Sequence, residues 1–429
     1  MNLYLKQFFS ISASVLCMAV FMLLSSCDNF FGKKTKADFL PIPDYSSRPV
    51  AYVPIKPDIK ATPAFTNPTH ISLGFDNLVY VVDSSLGIYS FDQSGRQLAL
   101  KSIPGVTYCV QDRNLDLLVL TKFDTTTGST PQLLNTICRY DLKDTLADNT
   151  TTLLSLNYAH LVHRMVYPVF TRETQRFQVP DELKQISLNA IGILSGNRYY
   201  VTCSGPERQA FNYTYPNNCI MICNAPKQEN NRGSWSPLAV TADNGTYGTD
   251  YFNQPFAIAT TINPPQSLTL ELQAKDDFIF TSLDQNSQLR VQYIQAVKSG
   301  EGFINYSLKP LVVGDYSVAN GFLYTSNKFV RPLSIAMAGD NSRYIFVADY
   351  AKDSLFQFTI DGLEGVKPNA ISDPKLIKVS FGSNEKDKGT ADFHKLRSVA
   401  YAEKILWLAD EGPDKVKRIT RWKLTTDFN

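Results

Sequence analysis

Histidine is the scarcest residue type in this chain that could bind a metal or move a proton. The chain has four histidines, His70, His160, His163 and His394, and only His160-x-x-His163 could place two imidazoles on one helical face. No glutamate lies between or beside that pair in the arrangement that metalloproteases use, and Pro168 follows closely. We therefore expect no metal at this pair and a structural, hydrogen-bonded role for the other two histidines.

Three aspartates, Asp83, Asp349 and Asp410, recur at one position of a repeated pattern. Each ends an apolar run and stands before a short polar turn. An aspartate in that position accepts hydrogen bonds from the backbone of its own turn, which is why turns select this residue type. The pattern therefore predicts a structural role for all three rather than a catalytic one.

Five of the seven cysteines follow residue 27: Cys109, Cys138, Cys203, Cys219 and Cys223. In an oxidising compartment disulfides are possible, and the candidate pairs are Cys109 with Cys138, and Cys203 with Cys219 or Cys223. An odd number leaves one thiol unpaired, and the sequence alone does not fix the connectivity. The apolar residues between Cys219 and Cys223 indicate a strand rather than half of a zinc site.

Composition and motifs exclude several classes of function. The chain has 42 basic and 40 acidic residues, a net charge of +2, which is no electrostatic footprint for nucleic acid. It contains neither a Gly-x-Ser-x-Gly nucleophile elbow nor a phosphate-binding loop. The sequence therefore predicts no nucleic-acid partner and no cofactor.

The N-terminal segment has the features of an export signal. Lys6 precedes an uncharged apolar run from Phe8 to Leu24, and the run ends in Leu24-Ser25-Ser26-Cys27. This ending resembles the lipobox of bacterial lipoproteins, in which a cysteine receives a diacylglycerol before the signal is cut. The resemblance implies that residues 1–26 are removed and that acyl chains on Cys27 attach the protein to a membrane.

A proline-rich segment, residues 27–68, follows the lipid-accepting cysteine. Its seven prolines interrupt every potential helix, because proline lacks an N–H and restrains the residue before it. The segment is predicted to be an extended tether.

Repeats of short apolar runs and polar turns fill residues 69–429. Ile71–Gly95 and Leu333–Gly362 share the order strand, polar turn, strand ending in aspartate, turn and third strand, and Leu396–Leu424 is a third copy. Weaker copies are Leu115–Leu142, Ile186–Asn224 and Leu268–Ile294. Six such units predict an all-β fold, a six-bladed β-propeller, because radial packing buries both faces of every sheet.

A propeller usually joins its two ends within one blade. We therefore expect an early strand near Ala51–Ile55 to complete the blade that holds Lys415–Leu424.

The strongest repeats resemble NHL-type six-bladed propeller repeats. Val379–Asp410 looks like the phrase FG…F…P…VA…VAD of that family, and it departs from the phrase where Leu396-Arg397 replaces the proline. Combined with the lipobox, the repeats make the chain similar to propeller lipoproteins of the Bacteroidota.

Three stretches separate the repeats unevenly: Asn157–Gln185, Ser236–Pro265 and Ser299–Val330. Long loops in compact domains are often functional, so these stretches are expected to decorate the propeller rims. The aromatic residues expected to bind a partner are Trp235, Tyr247, Tyr251, Phe252 and Phe256.

These features predict a membrane-anchored, extracytoplasmic module that binds or scaffolds an envelope protein or an outer-membrane complex. The alternative is a metal-assisted hydrolase or lyase, or a glycan-binding protein, that uses the central channel for its small-molecule or glycan ligand. The expected location is the cell envelope, with the lipid anchor in the outer membrane, and the sequence leaves open whether the protein faces the periplasm or the cell surface.

Overall fold

The structure is a computed structural model, and the chain divides into Met1–Arg48 and Pro49–Asn429. Every described residue belongs to the second unit. The described ranges are 50–124, 133–145, 152–167, 185–206, 218–224, 234–238, 240–241, 247–248, 251–262, 276–300, 304–311, 319, 321–367, 375–382, 393–412 and 414–428. Within these ranges no helix is long and apolar enough to cross a membrane. The predicted signal segment, Cys27 and the first part of the tether lie outside the described residues.

Blades 1 to 3 are four-stranded antiparallel sheets. From the inside outward, blade 1 consists of β2 (Pro68–Leu73), β3 (Val79–Asp83), β4 (Gly87–Phe91) and β5 (Gln97–Lys101). Blade 2 consists of β6 (Tyr108–Gln111), β7 (Leu117–Asp124), β8 (Leu133–Asp141) and β11 (His160–Tyr167). Blade 3 consists of β12 (Ser187–Ile193), β13 (Arg198–Ser204), β14 (Cys219–Asn224) and β15 (Ser234–Pro237). A small hairpin, β9 (Lys143–Thr145) with β10 (Thr152–Leu154), lies between the last two strands of blade 2 in the chain.

Blades 4 to 6 repeat the same order. Blade 4 consists of β18 (Pro255–Thr260), β19 (Phe278–Ser282), β20 (Val291–Lys298) and β21 (Ile304–Leu308). Blade 5 consists of β22 (Pro332–Met337), β23 (Ile345–Asp349), β24 (Ser354–Phe358) and β25 (Phe381–Gly382). Blade 6 consists of β26 (His394–Ala402), β27 (Ile405–Glu411), β28 (Lys417–Leu424) and β1 (Tyr52–Ile59). Two short strands, β16 (Val240–Thr241) and β17 (Tyr247–Gly248), extend the outer edge of blade 4, and β16 runs parallel to β21. Short 3-10 turns occur at Leu156–Tyr158, Ser195–Asn197 and Thr425–Asp427.

The innermost strands form a closed ring. Each of β2, β6, β12, β18, β22 and β26 contacts the next, and β26 returns to β2. The second strand of each blade is therefore covered on both faces, which is why β3, β19 and β23 are buried at every position. The predicted all-β, six-bladed β-propeller is confirmed.

Apolar side chains fill the spaces between blades rather than one central core. The buried residues fall into six clusters, and each cluster joins two neighbouring blades. Burial of this kind contributes about 25 cal/mol per Å² of apolar surface, so each blade depends on both neighbours for its stability.

Blade 6 is completed by a strand from the beginning of the domain. Strand β1 pairs antiparallel with β28, with Tyr52 opposite Leu424 and Ile55 opposite Arg421. The structure thus places an early strand where the sequence predicts the closing strand. Residues 52–59 of the predicted tether belong to the propeller.

The three stretches expected to decorate the rims contain strands of the blades themselves, and this part of the prediction is wrong. Asn157–Gln185 includes β11, Ser236–Pro265 includes β18, and Ser299–Val330 includes β21. In these blades the outer strands and the inner strand of the next blade are short, or their apolar and polar residues alternate only weakly. The sequence pattern that marks a repeat comes from the two middle strands instead.

Candidate functional site

The inner strands begin at one end of the propeller axis, and their first residues surround a cavity of about 340 Å³. Side chains from blades 1 to 5 contribute to its wall: Thr69, His70, Thr107, Tyr108, Leu120, Thr121, Lys122, Asn135, Ser187, Leu188, Asn189, Ala190, Phe256, Ala257, Ile258, Leu333, Ser334 and Ile335. Pockets of about 300–1,000 Å³ are typical of small-molecule sites. We call this space the axial cavity.

Backbone irregularities shape the mouth of the axial cavity. The register of β2, β12, β18, β22 and β26 against the next strand shifts within their first residues. Such a β-bulge re-aims side chains and ends regular pairing, and bulges are common beside functional sites.

Hydrogen bonds between blades hold the wall of the cavity. Asn189 Nδ2 donates to the Pro255 carbonyl at 2.9 Å, and Asn135 Nδ2 donates to the Ile186 carbonyl at 2.6 Å. Tyr108 Oη donates to the Ile191 carbonyl at 3.2 Å. The Nδ2 atoms of Asn135 and Asn189 are engaged in these bonds. Their Oδ1 atoms are therefore the amide atoms that could bind a ligand, by accepting a hydrogen bond from it.

His70 occupies the inner end of the axial cavity. Its ring stacks on Tyr108 with centroids 3.7 Å apart, and its Nε2 is shielded from solvent without a hydrogen-bond partner among the described residues. Burial lowers the pKa of His70 to about 3, although a hydrogen bond to the Cys109 backbone opposes that effect. The imidazole is therefore neutral at physiological pH and has one unused polar atom.

A second, narrower cavity of about 80 Å³ continues along the axis beyond His70. It is lined by all six inner strands, mostly by aliphatic side chains such as Ile71, Val110, Ile193 and Met337. A space of this size holds only a few water molecules, and His70 and Tyr108 line both cavities.

The described lining of the axial cavity is nearly uncharged. Lys122 is the one charged side chain of this lining. The lining includes a single imidazole, that of His70, and no carboxylate. Magnesium and calcium require oxygen ligands and zinc requires several nitrogen, sulfur or carboxylate ligands. This donor set fits an uncharged or weakly acidic organic molecule better than a metal ion.

The five aromatic residues expected to bind a partner have different positions. Phe252 is buried in the cluster between blades 3 and 4, so its expected role in partner binding is wrong. Tyr251 is half-buried and donates from Oη to Gln292 Oε1 at 2.7 Å. Phe256 is the second residue of the inner strand of blade 4 and lines the axial cavity. Trp235 lies in β15 and Tyr247 in β17, and their side chains are outside the described set.

Two of the three repeated aspartates bind the backbone, as the sequence predicts. The Asp83 carboxylate accepts from the N–H groups of Thr66 and Asn67 in the preceding loop and from Ser85 and Leu86 in its own turn.

Asp349 repeats that arrangement in blade 5. Its carboxylate accepts from Val330 and Arg331 in the loop before β22 and from Ala351 and Lys352 in its own turn.

Asp410 binds a side chain instead. Its carboxylate accepts hydrogen bonds from Nε and Nη2 of Arg418. Arg418 lies directly opposite Asp410, on β28. Burial raises the pKa of Asp410 to about 6, and the Arg418 guanidinium opposes the shift.

His160 and His163 do not share a helical face, because both lie in strand β11. His160 is opposite Asp141, and His163 is opposite Arg139. Burial and the positive charge of Arg139 lower the pKa of His163. No group of three potential metal ligands occurs among the described residues.

The cysteines distinguish between the candidate disulfides. Cys109 and Cys138 lie on β6 and β8 with Val119 of β7 between them, and both are thiols. Two strand spacings of about 4.8 Å exceed the reach of a bridge, which needs Cα atoms within about 7 Å. The Cys109–Cys138 pair is therefore wrong.

Cys203 and Cys219 are direct cross-strand neighbours on β13 and β14, whereas Cys223 lies opposite Tyr199. All three are thiols in the structure, and of the two partners proposed for Cys203 the strand register favours Cys219.

Sequence reasoning missed most of the axial cavity. From the sequence alone His70 is predicted to be structural, and nothing marks Asn135, Asn189 or Tyr108 as site residues. For His70, Tyr108 and Asn189 the available signal is position, since each stands at or near the start of an inner strand. Asn135 lies on β8, the third strand of blade 2, so that signal does not apply to it. The signal becomes useful only when the inner strand of each blade is known.

The chain matches no description of a known protein family and no curated protein sequence. Similar solved structures include the PQQ-bound form of an aldose sugar dehydrogenase from Streptomyces coelicolor, at 13% identity over 88% of this chain and 98% of that one, with a TM-score of 0.46. An auxiliary nutrient binding protein from Bacteroides ovatus is 11% identical over 88% of this chain and 77% of that one, with a TM-score of 0.45. Virginiamycin B lyase from Staphylococcus aureus is 11% identical over 88% and 99%, with a TM-score of 0.40. At such identities the similarity concerns the fold, and function has to be argued from the site.

Proposed function

We propose that this protein is an extracytoplasmic binding protein that takes a small, uncharged polar ligand into its axial cavity. The observation behind the proposal is the cavity itself: about 340 Å³, lined by residues of five blades. Apolar walls with a few fixed polar groups are typical of small-molecule sites.

A mono- or disaccharide is the ligand class that this lining favours. Tyr108 and Phe256 contribute aromatic side chains to the lining, and Asn135, Asn189 and Thr69 contribute polar ones. The absence of carboxylates from the described lining argues against a cationic ligand, because a buried unpaired charge is costly.

The test fills the cavity. Leu333→Trp adds bulk to its wall, and Leu98→Trp adds the same bulk to an exposed position on β5, where the leucine is 40% exposed. Titration calorimetry with a panel of neutral mono- and disaccharides should detect binding to the wild type and to Leu98→Trp, and at least tenfold weaker binding to Leu333→Trp. Equal binding by the two variants would place the ligand elsewhere.

The proposal includes the lipid anchor and the NHL-type character of the repeats. The Leu24-Ser25-Ser26-Cys27 sequence supports acylation at Cys27 and attachment to a membrane, and we propose that this is the outer membrane. Metabolic labelling with a fatty-acid analogue should mark the wild type but not Cys27→Ala, which should leave the membrane fraction. Labelling of Cys27→Ala to the wild-type level would refute the anchor.

A scaffold for an envelope protein is the second candidate function. Strand β11 is the outer edge of blade 2, and Tyr158, Leu161 and Val162 in and before it are about 40% exposed. An exposed apolar edge strand can accept a strand from another chain.

The scaffold function is tested by a pull-down with the anchor intact. Leu161→Lys with Val162→Lys should release a bound envelope protein, and Val297→Lys, at an exposed site on blade 4, should not. Removing Ser236–Pro265 is not a suitable test, because that deletion takes away β18, the inner strand of blade 4.

A further inference from the structure

Several cations converge at the mouth of the axis, where blades 5, 6 and 1 meet. The guanidinium carbon of Arg331 lies 5.0 Å from the centroid of the Tyr350 ring, and that of Arg397 lies 5.9 Å from the same centroid. Both positive charges are thus held at one aromatic ring, each through the attraction of a cation to a π face.

Arg397 bridges two blades at this point. Its Nη1 donates to Asn67 Oδ1 at 3.1 Å, in the loop before blade 1, while its guanidinium lies over Tyr350 of blade 5. The next residue, Ser398, accepts a hydrogen bond from the Ile71 N–H at the axis. Arg397 is therefore fixed beside the axial mouth rather than on the outer rim.

Two lysines add to the positive charge. Burial and the positive charges of Arg397 and Lys395 lower the pKa of Lys417, so these three groups lie within electrostatic reach of one another. Glu411 is the carboxylate that pairs with Lys395 and Lys417.

The neighbouring carboxylates are otherwise occupied. Asp83 and Asp349 are each bound by four backbone N–H groups, and Asp353 accepts from the Lys395 N–H. Among the described residues, Arg331 and Arg397 have no carboxylate partner, and Arg397 Nε is shielded from solvent with no hydrogen-bond acceptor. A buried charged donor without an acceptor is costly.

We propose that Arg331, Arg397 and Tyr350 form an oxyanion-binding site beside the axial mouth, for a phosphate or phosphate-ester group. The guanidinium fork matches the oxygens of such a group and can bind it through two hydrogen bonds. The site is separate from the axial cavity and does not depend on the ligand proposed for it.

The experiment measures binding of inorganic phosphate to the purified protein by titration calorimetry, at constant ionic strength set with chloride. Arg331→Gln is the principal variant, because the Arg331 side chain is exposed and is not needed for the Arg397–Asn67 contact. Its matched control is Arg113→Gln, an exposed arginine in the turn after β6, at the opposite end of the axis. The wild type and Arg113→Gln should bind phosphate alike, and Arg331→Gln should bind at least tenfold more weakly.

A second arm uses vesicles of phosphatidylglycerol against vesicles of phosphatidylcholine. Binding to the anionic vesicles that Arg331→Gln loses and Arg113→Gln retains would identify a lipid headgroup as the source of the phosphate. Binding of inorganic phosphate without vesicle binding would identify a soluble ligand. If neither probe distinguishes Arg331→Gln from Arg113→Gln, the proposal is overturned. Failure of the Leu333→Trp test would leave this result unaffected.

Discussion

Buried carboxylates and one buried imidazole show how single residues serve either stability or binding in this propeller. Asp83 and Asp349 are fully buried, and each joins its own turn to the loop that enters the same blade. The position of an aspartate in the repeat does not decide its hydrogen-bond partner, because Asp410, at the same position, pairs with Arg418. His70, in contrast, has a buried nitrogen with no hydrogen-bond partner among the described residues, and such an atom is suited to a ligand.

Asp349→Asn should destabilise the propeller by about 2–3 kcal/mol, because an amide nitrogen would then face backbone N–H donors that lose their acceptor. The measurement is the free energy of unfolding in urea. Asp361→Asn, at an exposed turn position, is the matched control and should change it by less than about 0.5 kcal/mol. Equal effects of the two variants would contradict the backbone-binding role.

His70 should make the protein sensitive to acid. Its pKa is about 3 in the folded state against 6.5 for an ordinary histidine, so the unfolded state binds the proton first as the pH falls. The stability due to neutral His70 is complete above pH 6.5 and is lost toward pH 3, by about 1.4 kcal/mol for each pH unit.

The corresponding variant is His70→Phe, which keeps a ring against Tyr108 but does not titrate. Between pH 7 and pH 4 its melting temperature should fall less than that of the wild type. His160→Phe, at an exposed position, should follow the wild type. A His70→Phe curve parallel to the wild-type curve would refute the expectation.

Pairing between strands decides which side chains of a blade can react with each other. The strands of blade 3 bring Cys203 and Cys219 into direct opposition, although fifteen residues separate them in the chain. In blade 2 an intervening strand keeps Cys109 from Cys138. The repeat signal is clearest in the middle strands of blades 1 and 5, which are buried at every position.

Cys203 and Cys219 should form the disulfide if the protein folds in an oxidising compartment, because directly opposed antiparallel residues have Cα atoms about 4.5–5.5 Å apart. Peptide mapping by mass spectrometry under non-reducing conditions should find that link, with Cys109 and Cys138 alkylated separately. A link between Cys203 and Cys223 would show that the register of β13 and β14 differs from the one described.

Ring closure governs the stability of the whole molecule. Blade 6 contains strand β1 from the start of the domain, and Tyr52 on that strand reaches into blade 5, where its Oη donates to Gln357 Oε1 at 2.7 Å and its ring stacks on Phe381. Because every blade is packed between two others, loss of one strand exposes apolar surface on both sides of the gap.

Deletion of residues 50–60 should therefore lower the melting temperature sharply, by well over 10 °C, in a scan followed by circular dichroism. Lys56→Ala with Asp58→Ala removes only an exposed ion pair on the same strand, whose side chains are 65% and 39% exposed. Such pairs contribute about 0–1 kcal/mol, so this variant should melt near the wild type. An unchanged melting temperature after the deletion would show that β1 does not close the ring.

By itself the sequence determined the fold class, the number of blades and the role of the recurring aspartates of blades 1 and 5. Those features depend on local patterns: alternating apolar runs, turn residues and a carboxylate next to its own turn. Ile71–Gly95 and Leu333–Gly362 were read correctly because their second and third strands are buried on both faces.

Only the tertiary structure decided which strand of each blade faces the axis, and hence the candidate sites. Phe252 and Phe256 are four residues apart, yet one is in the core and the other lines the axial cavity. Arg331 and Tyr350 of blade 5 meet Arg397 of blade 6, which also contacts Asn67 at the entry to blade 1, because these three blades are neighbours in the ring. The chain order contains no local signal for such neighbours, since the closed ring creates them.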